Sequence, residues 1–228
     1  MAFLKALGSS TSLSVVLLSL VVAGMVLLVW PRTRRFAKHW LLWVTGVYVV
    51  FGLPVVANAI AGSLPAASRV HRDGEPIHTL LVFDGDNLRG RLAETLRVLR
   101  TQSPRETWIV ADEWLIEELQ AAGYPREAFG HDKSNTTTRE QVDWARRFAA
   151  AHPDAPLTIV VSRLQLPRVA ALIRAAGFEA TLLPSPIDDE PPASGWRAWT
   201  PSYIGLRASR DAVYEHLALW WYQWKGWI

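Results

Sequence analysis

Leu157-Thr-Ile-Val-Val-Ser162 decides the fold. It is a short, unbroken apolar run rich in β-branched residues, as a strand covered on both faces requires. Residues 167–176 then read as a helix, with Gly177 just past its end where a left-handed cap favours glycine. Residues 179–183 read as a strand again. Upstream, residues 138–152 form a helix stopped by Pro153, and residues 113–122 a helix ended by Gly123. Residues 107–111 are a strand. Residues 88–101 are a helix with Leu88, Leu92, Leu96 and Leu99 at helical spacing, and residues 77–83 are the first strand. After a proline-rich, acidic loop over 184–198, residues 209–224 read as a final helix. This alternation predicts the α/β class, a Rossmann-like three-layer parallel sheet with helices on both faces.

The first third of the chain is different. Residues 13–30 are 18 residues without a charge, enough at about 1.5 Å per residue to cross a hydrocarbon core of about 30 Å. Residues 40–60 are a second uncharged stretch. The expectation is a two-helix transmembrane hairpin over 1–62, with spans at about 12–30 and 40–60, then a linker over 63–76 and the α/β domain over 77–228. Arg32, Arg34, Arg35 and Lys38 crowd the connector between the spans. By the positive-inside rule they hold it in the cytoplasm and put both chain ends outside. Trp30, Trp40 and Trp43 fit headgroup anchors. The competing reading, a cleaved signal peptide, would leave the arginine-rich connector on the wrong side.

The chain of 228 residues has no cysteine, which excludes disulfides, a thiolate nucleophile and Cys-ligated metal sites. Residues 1–68 hold five bases and no acid. Of 24 bases and 21 acids in the chain, 19 bases then face all 21 acids in the remainder, a net −2. A nucleic-acid partner, which needs a basic face, is not expected. The chain lacks a P-loop, G-x-G-x-x-G, G-x-S-x-G and H-E-x-x-H. No spaced cluster suggests a metal, no Ser–His–Asp triad can be assembled, and no cofactor is assigned.

In parallel sheets ligands bind beyond the carboxyl ends of the strands, so the loops that leave those ends hold the candidates. Asp84-Gly85-Asp86-Asn87 follows the first strand and reads equally well as an ordinary turn. Arg91, one helical turn on, would pair an anion. Asp112 follows the second strand. Asp132-Lys-Ser-Asn135-Thr-Thr137 precedes the helix that starts at Thr138, and Thr137 with Glu140 makes a capping-box pattern. The same helix start is also an anion cradle. Ser162, Gln165 and Arg168 follow the strongest strand. Asp84, Asp132 and Glu140 are the catalytic candidates. Gly85, Asn87, Arg91, Asp112, Asn135, Thr137, Thr138, Ser162, Gln165 and Arg168 are the ligand-binding candidates. The tail over 217–228 carries four Trp and one Tyr, which suit either core packing or a membrane–water interface.

Three of these stretches, taken together, resemble the ElyC/SanA/YdcF family of bacterial envelope proteins. The motif E-x-x-S-x-N-T-x-E-N corresponds to Asp132-x-x-Asn135-x-Thr137-Thr138-x-Glu140-Gln141, and T-S-x-x-H-x-x-R to Val161-Ser162-x-x-Gln165-x-x-Arg168. Arg91 matches the arginine after the first strand, and Trp221-Tyr222-x-x-x-Gly226-Trp227-Ile228 matches the ending. The chain departs from the family where a glycine-rich first turn becomes Asp84–Asn87, a glycine pair becomes Ala111-Asp112, and the histidine becomes Gln165.

The resemblance implies an envelope role in peptidoglycan or lipid-carrier metabolism. The resulting expectation is an extracytoplasmic, membrane-anchored domain that binds an anionic metabolite such as a lipid-linked sugar phosphate, with membrane lipids as partners. The alternative is a non-catalytic accessory subunit with membrane-protein partners. A methyltransferase using S-adenosylmethionine, a ligand one relative is reported to bind, fits less well without the glycine-rich first loop.

Overall fold

The computed structural model describes residues 10–85, 87–110, 113–135, 137–186 and 195–228. These fall into two compact units: residues 10–64 with 195–217, and residues 65–186 with 218–228. The domain expected to be continuous over 77–228 is therefore interrupted by 195–217.

The second unit is the α/β body. Its strands are β1 (Thr79–Phe83), β2 (Glu106–Val110), β3 (Gly130–His131), β4 (Leu157–Ser162) and β5 (Thr181–Ser185). They form one all-parallel sheet in the order β3-β2-β1-β4-β5. The helices α4 (Leu88–Thr101), α5 (Glu113–Ala121), α6 (Thr138–Ala151) and α7 (Leu166–Ala176) alternate with them. The α/β expectation and its parallel sheet hold.

Side chains alternate across the sheet as the period of two requires. Leu80, Val82, Ile109, Val160 and Leu183 face a core closed by Val98 of α4 and by Leu115, Ile116 and Leu119 of α5. Leu81, Phe83, Val110, Ile159, Val161 and Leu182 face a core closed by Val142, Ala145 and Phe148 of α6 and Val169, Leu172 and Ile173 of α7. Helices thus cover both faces, and β1 and β4, buried on both sides, form the centre.

Several elements differ from the sequence reading. The last strand ends at Ser185 rather than 183, and Pro184 lies inside it, paired with Val161. This is an edge strand, where a proline's missing N–H is tolerated. Part of the expected linker covers its outer edge: His71 N donates to Leu182 O at 2.8 Å, and Leu182 N to Arg69 O at 2.8 Å. β3 is only two residues long, too short to leave a hydropathy signal. The final helix, α8 (Tyr203–Trp224), begins six residues earlier than expected.

Part of the aromatic tail packs into the core, one of its two readings, and part is exposed. Tyr222 is buried against Trp227 with ring centroids 5.2 Å apart, and the Arg139 guanidinium lies 4.2 Å over Trp227. Trp220 and Trp224 are 61% and 63% exposed.

The first unit is helical: α1 (Ser10–Val29), α2 (Arg34–Gly52), α3 (Pro54–Gly62) and the first part of α8. α1 and α2 form an antiparallel hairpin. Trp40 Nε1 donates to Leu20 O at 3.1 Å, Thr33 Oγ1 to Leu27 O at 2.7 Å, and a side chain at Gly24 would collide with Leu41.

The second expected span is corrected here. Residues 40–60 do not make one helix; α2 and α3 meet at 66° across Leu53. Pro54 has no N–H and drives Leu53 to an extended ψ of 121°, which ends the helix before it. Among the described residues no single helix is long and apolar enough to cross a membrane; the bent pair of α2 and α3 together reaches that length and hydropathy.

The two-layer core yields a direct test. Ile159→Ala, at a fully buried point of β4, is expected to lower unfolding free energy by about 2–5 kcal/mol. Glu117→Ala, on the exposed side of α5, is expected to change it by less than about 0.5 kcal/mol. Urea titration followed by far-UV circular dichroism reads both.

Candidate functional site

The chain order along the sheet reverses between β1 and β4, and the crevice at such a switch point, beyond the carboxyl ends, is where doubly wound folds hold ligands. Asp84 and Gly85 leave β1 there, and Ser162 and Gln165 leave β4.

Arg91 organises this point. It reaches back from the first turn of α4, fully buried, and its Nη1 donates to the last carbonyl of β1, Phe83 O. Its Nη2 donates to Gln165 Oε1 at 2.7 Å. Gly85 makes room for this, because a Cβ there would strike the guanidinium and lie 2.9 Å from Gln165 Nε2. The arginine fixes the Gln165 amide so that its Nε2 donor lies beside the Gly85 backbone. Arg91 therefore does not meet a ligand head-on, as the sequence suggested. Its charge lies one layer beneath the surface, and Gln165 is the group it presents.

The described residues of the turn before α4 are held by hydrogen bonds. Asp84 N donates to Val110 O at 3.1 Å, and Gly85 N to Asp84 Oδ1 at 2.7 Å. Asn87 caps α4, accepting from Gly90 N at 3.0 Å, while its Nδ2 donates to Pro186 O at 2.7 Å. Asn87 thus ties the first loop to the residue that follows β5. Asp112 lies outside the described residues.

A second group gathers at the start of α6. The capping box is complete: Glu140 N donates to Thr137 Oγ1 at 3.2 Å and Thr137 N to Glu140 Oε2 at 2.8 Å. That bond accounts for both residues locally. Arg168, 4% exposed at the start of α7, donates to Thr138 Oγ1 at 2.8 Å and to the Tyr222 hydroxyl at 3.4 Å. It joins α7 to α6 and to the end of α8.

Asp132 accepts from the Ser134 hydroxyl at 2.6 Å and from Ser134 N at 2.8 Å. These bonds, led by the hydroxyl and helped by Trp144 and His131, hold its carboxyl below the ordinary range against partial desolvation. A carboxylate so held stays ionised, which suits an acceptor for hydroxyls better than a proton donor. The described structure brings Gly85, Arg91 and Gln165 together, and separately Thr138 and Arg168.

Gln141 stands in the quoted motif but outside the candidate set. It is 2% exposed, its Nε2 points at Asn135 O at 3.5 Å, and its Oε1 has no hydrogen-bond partner. Ser185, 1% exposed at the carboxyl end of β5, has an equally unpartnered hydroxyl. Buried polar atoms without partners are rare and mark sites that want a donor or acceptor. Neither could be found by residue type alone, since burial decides the matter. Among the described residues no group of His, Asp and Glu could hold a metal ion. Open clefts of about 570 and 700 Å³ lie at the opposite edge, around His78 and Arg105 and around Arg69 and His152. They are built from loops at the amino ends of the strands, away from the reversal in strand order.

The Asp132 turn makes a signed prediction. A depressed folded pKa contributes stability above the unfolded carboxylate range of about 4, and that contribution is lost as pH falls through the lower folded value. Asp132→Asn is therefore expected to be less stable than the parent at pH 7, with the gap closing below about pH 4; equal gaps at pH 7 and pH 3 in urea titrations would exclude this role. Compared with known families, characterised proteins and solved structures, the chain matches none.

Proposed function

We propose that this chain is a membrane-anchored, extracytoplasmic α/β protein of the bacterial envelope that binds an anionic metabolite, a lipid-linked sugar phosphate being the class that fits best. The observation that carries the reading is the cluster of Gly85, Arg91 and Gln165 at the β1/β4 switch point. There a buried guanidinium orients an amide whose donor lies beside glycine backbone. Arg168 and the α6 start would add positive potential, and Asp132 would accept from sugar hydroxyls. The motifs resembling the ElyC/SanA/YdcF family support the envelope part.

The anchoring part rests on composition. α1 and the bent pair α2–α3 are apolar, and the connector between α1 and α2 carries Arg32, Arg34, Arg35 and Lys38. Large apolar side chains on them lie open, among them Leu18, Val29, Leu42 and Trp43. Exposed apolar area of this extent needs a partner, and a bilayer supplies one.

One observation favours the alternative, an accessory subunit without catalysis. Arg91 and Arg168 both have protein partners, and Gln165, unlike a histidine, cannot shuttle a proton at neutral pH. Extraction in mild detergent separates the readings, since an accessory subunit is expected in a larger stoichiometric assembly.

Gln165→Glu would neutralise Arg91 and turn the donor into an anion. With the full chain in nanodiscs and a short-chain polyprenyl diphosphate sugar as probe, affinity is expected to fall at least tenfold with melting temperature unchanged. Equal affinity would end the binding proposal. Orientation is tested separately in a chain that has no native cysteine. Glu117→Cys is expected to react with an impermeant maleimide on intact spheroplasts, and Arg35→Cys only after permeabilisation.

A further inference from the structure

The break in the apolar helix at Leu53 leaves carbonyls that the helix itself cannot satisfy. Pro54 offers no N–H to Val50 O, which takes Leu53 N instead, and Val56 N and Ala57 N turn to Leu53 O. Phe51 O and Gly52 O are left over. Both are satisfied by a segment some 150 residues later in the chain: Ser209 Oγ donates to Phe51 O and Ser202 N to Gly52 O, each at 2.8 Å. The far end of α3 is closed in the same way, with His216 Nε2 3.2 Å from Ile60 O and 3.0 Å from Ser63 Oγ.

Phe51 meets Ser209, Gly52 meets Ser202, and Ile60 and Ser63 meet His216, so both the break and the far end of α3 are tied to the first part of α8. Small residues allow the approach. A side chain at Gly205 would strike Gly52 O, and Ala57, Ser209 and Ala212 are buried. Gly205-x-x-x-Ser209 is the small-residue spacing by which helices pack closely in lipid, and a broken helix at membrane depth needs donors from its neighbours.

The outward side of this segment is apolar and aromatic. Trp196 and Trp199, in a single-turn helix over Gly195–Trp199, are 74% and 68% exposed, followed by Tyr203, Ile204, Val213 and Leu217, all exposed. The segment also carries Arg207, Arg210, Asp211 and Glu215, which the hydrocarbon centre would not accept but the headgroup level does. Exposed Trp and Tyr together with charged groups are what that level favours. Residues 1–64, its partners in the same unit, contain no acid, so nothing there repels anionic headgroups.

We infer that residues 195–217 are a third membrane-contacting element, lying in the outer headgroup region and capping the broken helix α2–α3. The occupant of its exposed face is the lipid bilayer. This deepens the anchoring part of the proposed function and rests on it. On this reading the chain returns to the membrane after its α/β fold has been largely completed.

The absence of native cysteine allows the test on the full chain. Trp43→Cys, Trp199→Cys and Glu117→Cys, each carrying an environment-sensitive nitrobenzoxadiazole label, are reconstituted in phosphatidylglycerol–phosphatidylethanolamine vesicles with nitroxide-bearing lipids. Labels at 43 and 199 are expected to lose at least half of their fluorescence, and the label at 117 less than a tenth. Quenching at 43 with 199 behaving like 117 overturns the inference and leaves the hairpin anchored. No quenching at 43 or 199 overturns both. Equal quenching at all three also overturns it, because contact would then not be selective for this segment. Far-UV circular dichroism of each labelled variant confirms that the fold is kept.

Discussion

The α/β unit turns on one buried cation. Arg91 is fully enclosed, and a charge in that position is tolerable only with partners of good geometry. It finds them in the last carbonyl of β1 and in the amide of Gln165 beyond β4. One side chain on α4 thereby fixes the spacing of the two central strands at the edge where their order reverses. Removing the guanidinium would leave Phe83 O and Gln165 Oε1 without that donor, and keeping it demands a residue without a side chain at position 85. The meeting of Gly85, Arg91 and Gln165 is thus a by-product of how the fold accommodates a charge.

The helical unit answers a different constraint. A proline inside an apolar helix frees backbone carbonyls, and a carbonyl away from water must find a donor. The chain supplies Ser202 and Ser209 from a distant segment. This requirement explains why residues 195–217 leave the α/β body to which their position in the chain seemed to assign them. It also explains the small residue Gly205 at the contact, where a Cβ would strike Gly52 O and push the donor helix away.

Much of the α/β architecture is legible from residue pattern. The run Leu157–Ser162 is β4 to the residue, and the T-x-x-E signal at Thr137 and Glu140 becomes a complete capping box. The site is less legible. Arg91 and Arg168 are recognisable as candidates, but as surface ligands for an anion rather than as buried ties between elements. Gln141 and Ser185 carry unpartnered buried atoms that residue type alone does not reveal. The break at Leu53 is visible in the letters Gly52-Leu-Pro54, yet membrane helices tolerate these residues often enough that the letters do not decide it.

Hydropathy and local spacing determined the class of fold, four of the five strands, the caps at Thr137 and Gly177 and the division between an apolar beginning and a mixed remainder. These depend on neighbours within a few residues, where period and capping chemistry act directly. Only the tertiary structure decided which polar groups are buried, which strand ends meet and which distant segment closes the broken helix. Those outcomes depend on contacts between residues well separated in the chain, which no local pattern encodes.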